Sequence, residues 1–429
     1  MPPANGPVPA APAPNSARRI LVASVAGTTI EFFDFYIYAT AAVLVFPRLF
    51  FPASDPTSAQ LQSLATFAIA FYARPLGSAV FGHFGDRVGR KATLVAAILT
   101  MGLATVTIGF LPTYAAIGTW APLALALCRF FQGLGLGGEW GGAVLLATEN
   151  APPGRKAWYG MFPQLGAPIG FLCSGLSFLA LSAGLSNEQF LAFGWRIPFL
   201  ASSLLIAVGL YVRLRITETP AFRAAVEREE RVAVPFLSVI QRHFGVLVLG
   251  SFATVSVFVL FYLLTVFCLG WGTGHLGYGR NHFLIIQLIG IVFFGLTIPW
   301  SAALADRRGR RRTLMLVTAF VVVFGPFLGP LLGGGQAGVI AALVVGFGVM
   351  GLAYGPIGTF LAELFPTAVR YTGASICFNV AGILGASMAP SIATWLAKTY
   401  GLPWVGYYLS VASLVSLVAL ALCPAEAAP

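Results

Sequence analysis

The sequence predicts an all-α polytopic membrane protein with twelve transmembrane helices, arranged as two parallel repeats of six helices. Of its 429 residues, 58% are hydrophobic and 9% are charged, whereas a soluble globular domain carries about 25% charged residues. The apolar runs are long and uniform, and they lack the alternation of period two that a membrane β-barrel requires. Helices are therefore the structure that satisfies the backbone polar groups of this chain in lipid.

Apolar runs of about 20 residues, the length that crosses a bilayer as a helix, mark the individual elements. Residues 1–19 are rich in Pro and Ala, so we expect a disordered cytoplasmic tail there rather than a signal peptide. A second short cytoplasmic tail is expected at 424–429. The predicted spans are 20–50, 61–81, 92–112, 120–148, 158–182, 195–213, 244–270, 282–304, 313–332, 338–362, 373–397 and 404–423.

The formal net charge is +11, and most of the 25 Lys and Arg residues fall in loops on one side of the predicted membrane. Cytoplasmic loops of membrane proteins carry such an excess, so both termini are expected in the cytoplasm. The basic excess therefore reflects membrane topology, and no nucleic-acid partner is expected.

A polar stretch at 214–243 separates two predicted bundles, 20–213 and 244–423. The segment GHFGDRVGRK after the second span has a counterpart, ALADRRGRRR, after the eighth span. The fourth and tenth spans each end with a glutamate that is followed by proline and then arginine. Parallel repeats related by an axis along the membrane normal are typical of a large class of secondary transporters.

The loop after the second span has the pattern G-x-x-x-D-R-x-G-R-[KR] and resembles the signature of the major facilitator superfamily. The segments GTTIEFFDFYIYATAA, RPLGSAVFGHFGDRVGRK, CRFFQGLGLGGEWGGA, GWRIPFLAS and RITETPAF are similar to the metabolite:proton symporter family. The resemblance covers the chain after residue 20 and implies the major facilitator fold in a bacterial inner membrane. Members of that family move organic acids such as 2-oxoglutarate, citrate or shikimate, or zwitterions such as proline and betaine, together with protons.

The resemblance implies a secondary active transporter that performs proton-coupled symport of a small mono-, di- or tricarboxylate by alternating access. Two alternatives stay open, namely symport of a zwitterionic compatible solute and a channel or facilitator without proton coupling. The sequence has no metal-ligand spacing or nucleophile pattern, so neither an enzyme nor a cofactor other than the coupled proton is expected. The expected partners are an organic anion, protons and membrane lipid, and the protein is expected to be a monomer.

Two carboxylates, Glu31 and Asp34, lie in the middle of the first span. A charge at mid-membrane depth costs about 3 kcal/mol on insertion scales, and the i, i+3 spacing places both acids on one helix face. We predict that one of them carries the coupled proton. Arg129 falls at a similar depth in the fourth span, as judged from the helix rise, and is their predicted partner. The alternative is that these charges form structural ion pairs that lock the helices together.

The substrate site is predicted from charged, polar and aromatic residues within the spans. The second half has no ionisable residue deep in its spans, and each of its candidates can equally serve helix packing. The predicted substrate-binding residues are Tyr38, Arg74, Arg129, Gln132, Glu139, Tyr262, Gln287, Tyr354 and Asn379.

The repeated loop motifs form a predicted cytoplasmic gate. In the superfamily that the chain resembles, this motif latches the cytoplasmic side shut and breaks as the two halves move. The alternative is topogenic charge alone, which explains the arginines but not the aspartates and glycines. The predicted gate residues are Gly82, Asp86, Arg87, Gly89, Arg90, Glu149, Arg155, Asp306, Arg307, Arg310, Glu363 and Arg370.

Overall fold

The computed structural model describes residues 17–52, 55–88, 90–137, 139–214, 235–366 and 369–424, and the regular structure within these ranges is entirely helical. A short 3₁₀ turn at Gly194–Arg196 precedes the last helix of the first half. The helices of the first half are α1 (Ala17–Leu44), α2 (Phe46–Leu49), α3 (Pro56–Val88), α4 (Arg90–Phe110), α5 (Tyr114–Ile117), α6 (Trp120–Leu136), α7 (Glu139–Glu149), α8 (Lys156–Gly184), α9 (Asn187–Ala192) and α10 (Ile197–Leu214).

The second half begins with a short helix and contains two π-helical turns, at Leu263–Phe267 and Ile383–Ser387. Its helices are α11 (Pro235–Arg242), α12 (Phe244–Tyr262), α13 (Cys268–Gly274), α14 (Arg280–Arg308), α15 (Arg310–Gly333), α16 (Gly335–Glu363), α17 (Arg370–Gly382), α18 (Ala389–Thr399) and α19 (Leu402–Leu422).

Nine helical segments among the described residues are long and apolar enough to cross a membrane. They correspond to the second span and to the fifth through twelfth spans predicted from the sequence. The first, third and fourth predicted spans are occupied by α1, by α4 and by the pair of α6 and α7. The all-α polytopic fold class is therefore confirmed.

Several details of the predicted spans differ from the structure. The first helix begins at Ala17, inside the predicted tail, and ends at Leu44 rather than at residue 50. The rest of the predicted tails, at 1–16 and 425–429, lies outside the described residues. In the predicted connecting segment, α11 is described and 215–234 is not.

The seventh and eleventh spans, predicted as continuous helices, are each interrupted by a π-helical turn. Such turns displace backbone carbonyls from the regular α-helical hydrogen bonds and are frequent at functional sites. At the first turn, Nε2 of Gln287 on α14 donates to the carbonyl oxygens of Leu264 (2.9 Å) and Thr265 (2.7 Å). Gln287 thus stabilises an irregular segment of its neighbouring helix.

The two halves meet along two seams. In one seam α8 packs against α14, and in the other α3 packs against α17 and the π-helical turn at Ile383–Ser387. Within the first half, glycines let α6 approach α3 closely, since a Cβ on Gly133 would clash with the backbone of Ala70 and one on Gly137 with that of Arg74. Small residues allow such close contact between membrane helices, and here they hold Arg74 beside the second seam.

Candidate functional site

Two small adjoining cavities lie between helices of the two halves, and together we call them the central cavity. They share Phe32 and Arg74 from the first half and Phe378 from the second half. One is completed by Tyr36, Ala167, Val257, Phe258, Phe261, Tyr262, Phe294, Met350 and Tyr354. The other is completed by Glu31, Phe35, Leu136, Trp140 and Asn379.

Arg74 is the cation that lines both parts of this cavity. Its guanidinium lies over the rings of Phe35 and Phe71, at 4.7 and 4.9 Å from their centroids. The residue is only 7% exposed, and its Nε has no hydrogen-bond partner among the described residues. A buried donor without a partner is unfavourable, and a carboxylate ligand is the group that a guanidinium binds best. The arrangement is therefore suited to an anionic substrate.

The two predicted proton-coupling acids, Glu31 and Asp34, lie in different surroundings although they share one helix. Glu31 lines the central cavity together with Arg74. Asp34 is 1% exposed, and its Oδ1 accepts a hydrogen bond of 2.5 Å from the Ser202 hydroxyl on α10. Asp34 therefore lies within the first half, whereas Glu31 lies at the boundary between the halves.

Arg129 has partners other than the predicted carboxylate. Its Nη1 donates to Oε1 of Gln132 at 3.1 Å, and its Nε donates to the Phe67 carbonyl at 3.4 Å. Its guanidinium also lies over the rings of Tyr38 (4.1 Å) and Phe35 (4.2 Å). An amide oxygen, a carbonyl and aromatic faces thus surround this fully buried cation.

The neighbours of Arg129 belong to the interior of the first half as well. Gln132 donates to the Thr105 hydroxyl at 2.7 Å, and the Tyr38 hydroxyl donates to that of Thr66 at 2.8 Å. Tyr38, Arg129 and Gln132 were predicted to bind substrate, but they do not line the central cavity among the described residues. Their role in substrate binding stays a prediction, and the structure shows only that depth in the membrane does not determine the rotation of a helix about its axis.

In the second half, the structure separates the predicted residues into two groups. Tyr262, Tyr354 and Asn379 line the central cavity, whereas Gln287 is bound to the π-helical turn. Nδ2 of Asn379 donates across the boundary to the Gly137 carbonyl (3.2 Å). Asn379 therefore joins the two halves at the cavity wall.

Glu139, at the start of α7, is buried and does not appear in the described lining of the cavity. The neighbouring Trp140 does line it, and sequence reasoning did not identify this residue. Its indole stacks on the Phe378 ring across the boundary, with centroids 3.7 Å apart and planes at 10°. Its Nε1 donates to Oε1 of Gln164 at 3.0 Å. A lone Trp within a glycine-rich helix was the signal that could have indicated it.

The predicted cytoplasmic gate is partly assembled around Asp306, at the end of α14. Its two carboxylate oxygens accept hydrogen bonds from the backbone amides of Ala157 (2.8 Å) and Trp158 (2.9 Å) in the first turn of α8. Arg310 lies 3.4 Å from Asp306 and 3.4 Å from Glu363, and Lys156 lies 3.4 Å from Glu363. Residues of both halves thus form one charged cluster.

The other predicted gate residues lie elsewhere. Gly89 and the side chains of Asp86, Arg87 and Arg90 are outside the described residues, and Gly82 lies within α3. Three further predicted gate residues have exposed side chains, namely Glu149, Arg155 and Arg307. Nε of Arg370 donates to the Phe365 carbonyl within its own half, at 3.3 Å.

At the other end of the same helix pair, Arg280 connects the start of α14 to the end of α8. Its Nε donates to the Ser182 hydroxyl at 2.5 Å and its Nη1 to Oδ1 of Asn187 at 3.4 Å. Its guanidinium lies 4.0 Å from the centroid of the Phe190 ring, and Ser182 also bonds to Asn281. Contacts between the halves therefore tie α8 to α14 at both ends.

A family model described as "Sugar (and other) transporter" matches residues 19–240 and, separately, residues 236–427. The inner membrane metabolite transport protein YhjE of Escherichia coli (strain K12) is 55% identical over 414 residues, which are 95% of this chain and 94% of that protein. The shikimate transporter of the same organism is 37% identical, covering 93% of each chain. The proline/betaine transporter of Salmonella typhimurium is 31% identical, covering 94% of this chain and 82% of its own.

Among solved structures, the proton:xylose symporter XylE of the major facilitator superfamily, bound to 6-bromo-6-deoxy-D-glucose, superposes with a TM-score of 0.73. The match covers 94% of each chain at 18% identity, so the likeness concerns the fold. The relatives are transporters rather than enzymes, and the two matched segments agree with the predicted repeat.

Proposed function

The chain belongs to the Sugar (and other) transporter family of the major facilitator superfamily, and we propose that it moves a small organic acid together with protons by alternating access. The organic acid is bound in the central cavity as its carboxylate. Both termini face the cytoplasm, and the protein acts as a monomer in a bacterial inner membrane. The relatives' names, the positive charge of the predicted cytoplasmic loops and the cavity support this proposal.

The observation that carries the proposal is the placement of Arg74 and Glu31 in one cavity between the two halves. The guanidinium of Arg74 binds the substrate carboxylate, since its Nε has no protein partner among the described residues. When the substrate neutralises Arg74, the Glu31 carboxylate loses the benefit of a nearby positive charge and binds a proton more readily. Substrate binding and proton binding thereby favour each other.

Asp34 is the second acid proposed to take part in proton coupling. It is buried in the first half and bound to Ser202 on α10. Because Asp34 and Glu31 lie one helical turn apart on α1, their charges interact, and two adjacent carboxylates disfavour simultaneous ionisation. Protonation of one acid therefore affects the proton affinity of the other.

The contacts at the two ends of α8 and α14 support alternating access. Asp306 with Lys156, Arg310 and Glu363 (the Asp306 cluster) closes one end. Arg280 with Ser182, Asn187 and Phe190 (the Arg280 cluster) closes the other. Opening toward either side requires only one cluster to separate while the other holds, as in rigid-body rocking of two repeats about a central site. The Asp306 cluster is the proposed cytoplasmic gate.

Uptake into proteoliposomes tests the proposal directly. Labelled 2-oxoglutarate, citrate and shikimate are supplied with an inward proton gradient, with and without a protonophore. We expect at least one acid to accumulate inside above its external concentration, and this accumulation to be lost when the protonophore is present. Uptake that is faster than into protein-free liposomes but never exceeds the external concentration in either condition would instead indicate a facilitator without proton coupling.

A second candidate function is symport of a zwitterionic solute. The cavity holds a cation and an acid together, Arg74 and Glu31, and a zwitterion carries the complementary pair of charges. One relative is a proline/betaine transporter. Faster uptake of labelled proline or betaine than of any organic acid in the same proteoliposomes would favour this function.

A further inference from the structure

The cavity presents one cation to its contents. Arg74 lines the cavity. The guanidiniums of Arg74 and Arg129 both contact the Phe35 ring, at 4.7 and 4.2 Å from its centroid. Arg129 is fully buried, and its Nη1 is bonded to Gln132. Its Nη2 has no hydrogen-bond partner among the described residues, but Arg129 does not line the cavity. Among the described lining residues, a single guanidinium is therefore available to bind a substrate carboxylate.

The amide groups around the cavity are already engaged within the protein. Nδ2 of Asn379 donates to Ser78 (3.0 Å) and to the Gly137 carbonyl. Gln164 accepts from the Trp140 indole and donates to the Tyr354 carbonyl at 3.3 Å. A second carboxylate would thus lack a cation and would lie near the acid Glu31, where like charges repel.

The remaining wall consists largely of aromatic rings contributed by both halves. Aromatic rings favour stacked or edge-to-face contact with other rings, at centroid distances of about 4.5–7 Å. Flexible chains gain less from such walls because they lose rotational freedom on binding. The rings that line the cavity beside Arg74 include Phe32, Tyr36, Phe261, Tyr262, Phe294 and Phe378.

We propose that the substrate is a monocarboxylate whose carboxylate is attached to a six-membered ring, aromatic or alicyclic. The carboxylate binds Arg74, and the ring packs among the aromatic side chains of both halves. This inference rests on the proposed function and narrows it from organic acids in general to one class. It also assigns specificity to Phe261 and Phe378, which no sequence motif indicated.

Equilibrium binding to the purified full-length protein in detergent, without a proton gradient, tests the inference. The ring monocarboxylates benzoate, cyclohexanecarboxylate and shikimate are compared with hexanoate, which has an open chain, and with the dicarboxylates phthalate and succinate. We expect at least one ring monocarboxylate to bind about tenfold more tightly than all three comparison acids. Phthalate is the sharpest comparison because it differs from benzoate by one carboxylate.

Two variants test the role of the wall. Phe378→Leu removes a ring that lines the cavity, and Phe320→Leu is the matched control because Phe320 is 49% exposed on α15. We expect Phe378→Leu to reduce the preference for ring acids over hexanoate several-fold, and Phe320→Leu to leave it unchanged. If wild type and Phe378→Leu show the same ratio of affinities for ring acids and hexanoate, the assignment of specificity to the Phe378 ring is overturned.

Tighter binding of succinate, phthalate or hexanoate than of every ring monocarboxylate would overturn the inference and leave proton-coupled transport of organic acids intact. Protonophore-insensitive uptake of a ring monocarboxylate would instead overturn the proposed coupling and leave the inference on substrate class intact. Binding of none of these acids would overturn the inference, and uptake of 2-oxoglutarate and citrate would then test the proposed function separately.

Discussion

The carboxylate of Asp306 caps the first turn of α8 through the amide of Ala157, at 2.8 Å, although the two residues belong to different halves of the protein. The amides at a helix N-terminus lack intrahelical partners and carry a partial positive charge, so a carboxylate there is favourable. The sequence predicted Asp306 and Arg310 as residues of one gate. They lie 3.4 Å apart, but the cap across the boundary is the contact that would have to break for the two halves to separate.

Replacement of Asp306 by Asn should open the proposed cytoplasmic gate more often. The amide side chain has one acceptor oxygen and no charge, so one cap bond and the charge–dipole interaction are lost. Such an interaction contributes about 0.3–2 kcal/mol, equivalent to a shift of about 2- to 30-fold in the ratio of open to closed protein. Spin labels at the start of α8 and the end of α14 would report the longer distance.

Asp55 supplies the control for this variant. It accepts hydrogen bonds from the amides of Thr57 (3.0 Å) and Ser58 (3.2 Å) at the start of α3, within its own half. Asp55→Asn should therefore leave the α8–α14 distance distribution unchanged. An unchanged distribution in Asp306→Asn as well would show that this cap does not hold the gate.

Arg280→Gln should have the opposite effect, because it removes the contacts at the other end of the helix pair. Loss of the Ser182 and Asn187 hydrogen bonds and of the Phe190 contact should increase opening at that end. Labels near the start of α14 and the end of α8 would measure it. Arg242→Gln is the control, because Arg242 is exposed on α11. Equal distances in wild type and Arg280→Gln would show that the Arg280 contacts do not hold this end closed.

Arg74→Gln should weaken binding of organic acids by about 10- to 100-fold, since a hydrogen bond to a charged group contributes about 1.5–3 kcal/mol. The variant also loses the cation–π contacts with Phe35 and Phe71, so a lower melting temperature is expected as well. Parallel titrations and melting curves in detergent separate the two effects. Wild-type affinity in the variant would exclude Arg74 as the carboxylate anchor.

Arg129→Gln should lower the stability of the protein rather than its affinity for organic acids. It removes a fully buried cation from the faces of Phe35 and Tyr38 and leaves Gln132 without its donor. Lost cation–π contacts and an unsatisfied amide should lower the free energy of unfolding by about 1–3 kcal/mol. A variant with the wild-type melting temperature and no substrate binding would instead support the substrate-binding role that the sequence predicted for Arg129.

The sequence allowed the fold to be predicted because span length, hydropathy and the repeated loop motif are one-dimensional signals. The same signals indicated Asp306, Arg310 and Glu363, which the structure brings together. They could not reveal the amides of Ala157 and Trp158 as partners of Asp306, since every residue except proline carries a backbone amide and the sequence does not distinguish which one is contacted. The π-helical turns were also missed, because their stabilisation by Gln287 depends on a neighbouring helix.

The pairing of buried charges was the least predictable part of the site. Helix rise gave similar depths for Glu31, Asp34 and Arg129, but pairing depends on helix rotation and tilt. The close approach of α6 to α3 places Arg74 at the boundary, and the Phe35 ring contacts the guanidiniums of both Arg74 and Arg129. Glu31 therefore shares the cavity with Arg74, and Asp34 is bound to Ser202.

Glu31→Gln should separate transport from proton coupling, because the glutamine cannot exchange a proton at the cavity. Exchange of labelled for unlabelled organic acid across the liposome membrane needs no net proton movement, so it should persist in the variant. Net uptake against a concentration gradient should be lost. Asp34→Asn measured in parallel shows which acid is required, and full gradient-driven uptake in both variants would exclude both acids.

The most direct measurement is of proton entry itself. Proteoliposomes that contain a pH-sensitive dye, with equal pH on both sides, receive the organic acid that is taken up fastest, and protein-free liposomes correct for passive permeation. Symport predicts that the interior acidifies in step with uptake in the wild-type protein and not in Glu31→Gln. Uptake by the wild-type protein without any change in internal pH would contradict proton-coupled transport.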